Sequence, residues 1–594
     1  MAGKTLDLDH FIVKDQLACA IAEMYVTWKI LKNPVIEQWD ETRRYVYATD
    51  TRTTTNQTLP WKNTTTIPKL CQIRDNLAAN YMASLFPKRK WVFWEADNES
   101  DEQRDKKDAI EAYMNWVIER PEFRNEMQKL VYDFIDTGNP IATVEWVDNR
   151  VFLDDRNQKG FVGPLPRRIS PLDIVFNPIA PSFERTPKIV RTLTTLGELK
   201  EQTLAESTDM EKEDIEKLFE YLRNVRFTIA AQSTAYDITE KDSYFRMDGY
   251  DSFRAYLSSS YCEVLTFYGD LYDIHNDVFY KNHIITVVDR HKIISVKPNP
   301  SYFGTAPIYH SGWRIRQDNL WAMGPLDNLI GMQYRIDHLE NSKADLMDLT
   351  NFPPLKLKGQ VDEFTWGPFE KIHVDVDGDV EVMQIASGAY QINLEIDQIM
   401  AKMEEMAGAP KEAMGFRSPG EKTAYEVQRL ENAASRIFQA KIIQFEEQIV
   451  EPILNAMLEI ARRKMNETTI RVLNDEFKIA SFMNLTPDDI TGSGRIRPIA
   501  ARNFAEKAEK VQNLNNLTNS PLWQDIKMHF SSEKMASMME ELLDLEGYKV
   551  VQPYVLISEQ AEAARLSNAA EEQVMMETQT PSGLTPDDVS PEVL

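Results

Sequence analysis

At 594 residues the chain exceeds what a single hydrophobic core organises, so two to four packed regions are expected. Hydrophobic residues make up 43% and charged residues 27%, the balance of a folded soluble protein, and no apolar run is long enough to span a bilayer. A net charge of −26, from 67 basic against 93 acidic residues, speaks against a wide basic face that grips nucleic acid. That charge fits a scaffold, and equally a surface along which a polyanion slides without sticking.

The N-terminal stretch lacks the basic flank and purely apolar core of a secretory signal, and an amphipathic helix is expected over 8–46. A Thr/Asn-rich loop follows (TDTRTTTNQTLPWKNTTT). Next, Leu70, Ile73, Leu77, Tyr81 and Leu85 recur every three or four residues, one apolar helical stripe stopped by Pro87. Helices are expected again at 102–119 and 122–137, the second ended by the turn signal DTGNP. From 140 the period changes to two, and PIATVEWV reads as a strand.

Between 140 and 300 strands are expected around RISPLDIVFNP, YCEVLTFYGDLYDI and NHIITVVDRHKIISV, the last a hairpin turning at Asp289 to Lys292. A charged helix, MEKEDIEKLFEYLRNV, interrupts them, and 230–258 has the character of an insertion. From Pro325, Leu329, Met332, Ile336, Leu339 and Leu346 keep helical rhythm, with Lys343 where the next apolar residue is due. Strand and turn character fills 351–383. A second helix, AYQINLEIDQIMAKMEEM, has Ile392, Ile396, Ile399, Met403 and Met406 on one stripe and Glu395, Gln398, Lys402 and Glu405 on the other face. Then comes a very long helix whose start carries the capping-box pair Thr423 and Glu426 and whose interior holds Pro452, where a kink is expected. A strand-like piece, LTPDDITGSGRIRPI, precedes helices at 500–516, 533–545 and 558–577, and the Pro-, Ser- and Asp-rich end has the composition of a disordered tail.

Chemistry-bearing motifs are scarce. Cys19, Cys71 and Cys262 lie far apart with no C-x-x-C, which excludes a disulfide framework and a cysteine zinc site and fits a reducing compartment. The eight histidines are dispersed, and neither H-E-x-x-H nor G-x-S-x-G occurs. The stretch GFRSPGEKT at 415–423 approaches the phosphate-binding G-x-x-x-x-G-K-[ST] but carries one extra residue, Glu421. It also follows a helix rather than a buried strand, and a phosphate cradle depends on that strand–loop–helix setting. Asp375, Asp377 and Asp379 faintly resemble a calcium loop, but the twelfth position is Ala386 where a glutamate is needed. A solvated acidic strand face is the plainer account.

The two helices at 325–350 and 389–407 have narrow apolar stripes and polar surfaces otherwise. Packing against copies of the same chain in a ring accounts for this, and so does an ordinary antiparallel pair within one domain. The order of elements resembles the portal, or head-to-tail connector, of tailed bacteriophages, most of all short-tailed ones. The carrying segments are GPLDNLIGMQYRIDHLENSKADLMDLTNFPPLKL, INLEIDQIMAKMEEMAGAP and GEKTAYEVQRLENAASRIFQAKIIQFEEQIVEPIL, supported by DNLAANYMASLFP, ITVVDRHKIISVKPNP and ITGSGRIRPIAARNFAEKAEKVQNL. The similarity covers roughly 60 to 550.

That resemblance implies a mixed α+β, predominantly helical subunit with wing, stem, clip and a helical C-terminal crown, assembled into a ring, usually of twelve. Residues 1–324 would form the N-terminal wing, 325–350 and 389–407 the stem helices, and 351–388 the clip. Residues 408–422 would be the channel loop, 423–499 the long kinked helix and wing return, 500–577 the crown, and 578–594 a tail. The resemblance implies Lys411, Arg417 and Lys422 as the DNA-facing charges of the loop, in which Gly415, Pro419 and Gly420 shape the turn. It places Glu395, Lys402 and Glu405 at the stem lumen and Trp366, Phe369 and Lys371 on a docking clip. Implied partners are double-stranded DNA without sequence preference, the terminase packaging motor, tail adaptors, and the major capsid and scaffolding proteins, at a capsid vertex of the virion. No catalytic residue, cofactor or metal is implied. A different phage structural ring, such as a tail adaptor, and a nucleotide-driven motor using 415–423 stand as the alternatives.

Overall fold

The computed structural model describes residues 16–47, 63, 65–86, 91–96, 101–148, 151–154, 157–159, 161–206, 215–216, 219–220, 222–223, 261–273, 277–290, 292–300, 304–351, 353–359, 378–383, 389–407, 437–465, 468–474, 479–492, 494–498 and 538. They form a mixed α and β structure. No helix among them is long and apolar enough to cross a membrane.

The apolar stripes become helices where the spacing places them. Helix α1 spans Gln16–Tyr47 and α2 spans Lys69–Leu85, with Leu70, Ile73, Leu77, Tyr81 and Leu85 all buried. After β1 (Val92–Ala96) come α3 (Asp101–Ile118) and α4 (Pro121–Asp136), the latter opened by a proline at its first position, where no intrahelical N–H bond is lost. Helix α4 stops at the DTGNP turn. Gly138 there has φ of +72°, and a Cβ on it would lie 2.5 Å from the backbone of Met323 and Gly324, so only glycine fits.

Strands β2 (Ile141–Asp148), β3 (Val151–Asp154), β4 (Asn157–Lys159) and β5 (Val162–Arg168) follow, then β6 (Ile174–Phe176), β7 (Lys188–Thr195) and α5 (Leu196–Glu206). Strands β8 (Tyr261–Asp273), β9 (Val278–Val288) and β10 (Lys292–Pro298) complete a five-stranded antiparallel sheet of order β10-β9-β8-β7-β6. The expected turn at Asp289 to Lys292 is present, with Asp289 and Arg290 both at positive φ. Strand β11 (Ile308–His310) joins β2 and β5 in a three-stranded antiparallel sheet, and β3 pairs with β4.

Both faces of the large sheet are covered. Leu17, Ala18, Ile21 and Tyr25 of α1 pack on Leu265, Phe267, Ile285 and Val287. Alternation sends Cys262, Val264 and Val288 to the opposite face, against Leu199, Ile215, Phe219 and Leu222, of which the last three belong to the charged segment expected to be helical. Further along α1, Ile36 and Trp39 meet Ile141, Ile174, Phe176, Ile308 and Trp321, so one helix binds both sheets together. At about 1.5–3 kcal/mol per fully buried large apolar side chain, α1 is a principal stabiliser of this region.

A 3₁₀ turn at Asp327–Leu329 leads into α6 (Ile330–Asn351), so the helix expected from 325 begins a turn later. Strands β12 (Leu355–Lys358) and β13 (Asp379–Val382) pair antiparallel before α7 (Ala389–Met406). From 437 the chain is helical again to Lys464, interrupted by a π turn at Glu446–Val450 that passes into α8 (Glu451–Lys464). Pro452 explains the interruption. Its ring crowds the carbonyl four residues back, and the wider turn, closed by Glu451 N–H to the Glu446 carbonyl, absorbs the misfit. The start of this helix, 423–436, lies outside the described residues.

Strands β14 (Thr468–Asn474) and β15 (Ile479–Leu485) form a pair that helical periodicity does not reveal. The strand-like expectation for 485–499 needs correction at its front, where Thr486 and Asp489 form a capping box over a 3₁₀ turn, Pro487–Ile490. Among the described residues after that turn Gly494–Pro498 forms a strand, β16, and it pairs with β1, distant in sequence. Two compact units are distinguished: one holds the described residues up to Ile470 and those from Asn484 to Pro498, the other includes Arg471–Met483.

Candidate functional site

Helices α6 and α7 with the β12–β13 pair form one hairpin that leaves the core. Along α6, Ile330, Gln333, Ile336, Asp337, Leu339 and Asn341 are buried, whereas every residue from Met347 to Asn351 is exposed. The return mirrors this: the first turns of α7 are largely exposed, and Met403, Glu404 and Ala407 are buried. The helices touch, and Arg335 pairs with Glu395 at 2.9 Å. Both of those side chains are about half exposed, so the pair contributes at most about 1 kcal/mol.

One flank of α6 is polar and still engaged, and this was not legible in the stripe. Gln333, Asp337, Asn341 and Asp345 recur every four residues and bond residues 63, 65, 67 and 70. Asp345 Oδ1 accepts from Asn63 N–H at 3.3 Å, Asn341 Oδ1 from Thr65 N–H at 2.7 Å, and Asp337 Oδ1 from Ile67 N–H at 3.1 Å. Gln333 Nε2 donates to the Ile67 carbonyl at 2.6 Å and to Asp337 Oδ1 at 3.0 Å, and its Oε1 accepts from Leu70 N–H. The spacing works because four helical residues rise about 6 Å and two extended residues about 6.6 Å. Each rung therefore meets every second N–H, as a neighbouring strand would. The signal that could have found it is the run of short acceptor side chains at i, i+4, i+8 and i+12.

Burial pushes the Asp337 carboxyl up to about 6, against the pull of Ile67 N–H and Gln333. Asp327, at the entrance to α6, is likewise pushed up to about 6 by burial, against donation from Gly324 N–H and Thr42 Oγ1 of α1. A few residues on, Tyr334 stacks edge-on with Tyr45 at 5.0 Å and donates to Glu41 at 3.0 Å. At the base of α7, Glu404 is buried and bonded to Lys69 of α2 at 2.5 Å. The segment before α6 is held from the other side: Gln444 Nε2 donates to the Gly312 carbonyl at 2.5 Å, Ser311 Oγ donates to Gln448 at 2.9 Å, and Lys441 Nζ donates to the Trp313 carbonyl.

The hairpin also exposes apolar side chains. Tyr334, Met347 and Leu349 on α6, Leu394 and Met406 on α7, and Leu357, Val382 and Met383 at the strand pair are each between 42% and 53% exposed. Met406 thus departs from the buried stripe expected of it, while Ile396 and Met403 keep to it. The strand pair is two-faced: Lys356 sits opposite Glu381 and Lys358 opposite Asp379, with Leu355 opposite Val382 and Leu357 opposite Val380 on the other side.

Of the sequence-derived site residues, Glu395, Lys402 and Glu405 all lie exposed on α7, Glu395 engaged by Arg335. The loop charges Lys411, Arg417 and Lys422, the whole GFRSPGEKT stretch, and Trp366, Phe369 and Lys371 fall outside the described residues, as does 230–258. Glu404, one position from the residue singled out, is the carboxylate that α7 spends on the fold. No protein-family model matches the chain, and no curated protein matches it.

Proposed function

We propose that the chain is a portal-type subunit: a ring of identical copies, about twelve, at a capsid vertex, through which double-stranded DNA passes during packaging and ejection. The ring carries out no catalysis of its own and docks the packaging motor, then the tail. The observation that carries this reading is the hairpin α6–β12–β13–α7, which leaves the core with apolar side chains exposed on both helices and at its tip. Exposed apolar side chains repeated along both arms of one projecting element favour a contact with another protein surface. Side-by-side packing of the hairpin with its copies covers it, and a head-to-tail contact repeated by rotation closes into a ring.

The charge of the chain supports the same reading. A conduit must surround a duplex without holding it, and Glu395 and Glu405 give α7 exposed acids that weaken phosphate contact. Lys411, Arg417 and Lys422 then make salt-screened, sequence-blind contacts with backbone phosphates. Electron micrographs of the purified protein test the proposal. Funnel-shaped rings of about twelve with a central hole are expected; a monomer at micromolar concentration, or a ring without a channel, refutes it.

A further inference from the structure

We infer that Asn63 and residues 65–70 are a latch across the base of the hairpin, joining α6 and α7 to α2, so that undocking these residues is the motion that frees the hairpin. The inference goes beyond the ring reading and stands without it.

Three features carry it. The segment is held on α6 through its main chain: N–H groups of Asn63, Thr65 and Ile67 go to Asp345, Asn341 and Asp337, with Gln333 closing the end. Asn63 adds its own side chain, donating to Asp345 at 2.7 Å and Asp348 at 3.0 Å. Such a contact reads backbone and ignores side-chain identity, and it releases as a unit when the extended conformation is lost. Immediately after it, Lys69 reaches the other helix, bonding Glu404 at 2.5 Å with both groups buried. One stretch of chain therefore grips both arms of the hairpin at its root.

The third feature is the anchor. Helix α2 is itself fixed, because the Arg74 guanidinium makes a forked pair with Asp136 of α4 at 2.6 and 2.8 Å and lies 4.3 Å over the Tyr132 ring. Asp133, one turn back on α4, makes a second fork with Arg168 of β5. The latch thus ties the hairpin to a rigid block. Its first rungs, by contrast, are neutral-donor hydrogen bonds at a part-exposed edge, each of modest net strength. The weakest link in the series lies at Asn63, Thr65 and Ile67, before the buried Lys69–Glu404 pair, and opening begins there.

Hydrogen exchange on the full chain tests this, comparing wild type with Asn341→Ala/Asp345→Ala and with Lys69→Met. In the double variant, amides of 65–70 are expected to exchange at least tenfold faster, and those of 400–407 with them, while 264–268 and 284–288 of the large sheet stay within twofold. Lys69→Met should accelerate 400–407 and leave 65–67 protected. Faster exchange at 65–70 with 400–407 unchanged in both variants overturns the latch, and so does unaltered protection at 65–70 in the double variant. Should the double variant lose the sheet protection, Thr65→Pro, which removes the N–H bonded to Asn341 but keeps every acceptor side chain, is scored by the same criteria.

Discussion

Single residues set hard limits at two places. Gly138 combines a left-handed backbone with a neighbour too close for any Cβ. Gly138→Ala adds about 1–2 kcal/mol of conformational strain and must also push back the backbone of Met323 and Gly324. A loss of more than about 2 kcal/mol is therefore expected in denaturant unfolding; a smaller loss would mean that this crossing yields easily. Asp337 offers a test in the opposite sense from ordinary acid denaturation. Its folded carboxyl sits at about 6, above its unfolded value, so its contribution is fully present below about pH 4 and is lost as pH rises through about 6. Wild type should gain about 1 kcal/mol relative to Asp337→Asn between pH 7 and pH 5. A flat difference, or one that grows as pH rises, would show that the Ile67 and Gln333 donors outweigh burial.

Elements were legible in proportion to how local their causes are. The stripes of α2 and α4, the extent of α7 and the β9–β10 turn rest on spacing and turn chemistry within a dozen residues, and they appear where expected. Strand β16 was half hidden because its partner β1 lies some 400 residues away in sequence, and no local pattern announces such a pairing. The acceptor ladder on α6 was hidden for another reason: Gln333, Asp337, Asn341 and Asp345 look like a solvated face until an extended backbone is laid on them. Conversely, the polar outer face of α7 was visible from the start, and what sequence did not disclose is that Leu394 and Met406 stand exposed among its acids. If these side chains join copies of the hairpin, Leu394→Glu/Met406→Glu should abolish assembly in analytical ultracentrifugation. Its thermal unfolding should stay close to that of a wild-type protomer, since exposed substitutions usually move stability by less than about 0.5 kcal/mol. Intact rings from this variant would assign the contact to another face.

For the whole molecule the governing quantity is charge. Each copy carries −26, so if copies assemble into the proposed ring, like charges are set against each other around it. Two contributions then respond oppositely to salt. Repulsion between copies is screened as the Debye length falls from about 10 Å at 0.1 M to about 3 Å at 1 M, whereas apolar contact between hairpins is not weakened by it. Ion pairs across an interface would be screened as well and would respond in the opposite direction. Assembly should therefore strengthen with salt, its concentration midpoint falling severalfold between 0.1 M and 1 M sodium chloride in mass photometry. If Lys411, Arg417 and Lys422 contact phosphate as proposed, that contact should weaken over the same range. A midpoint that rises with salt would mean that the copies are held by charge pairs, and the apolar hairpin would lose its place as the joining surface.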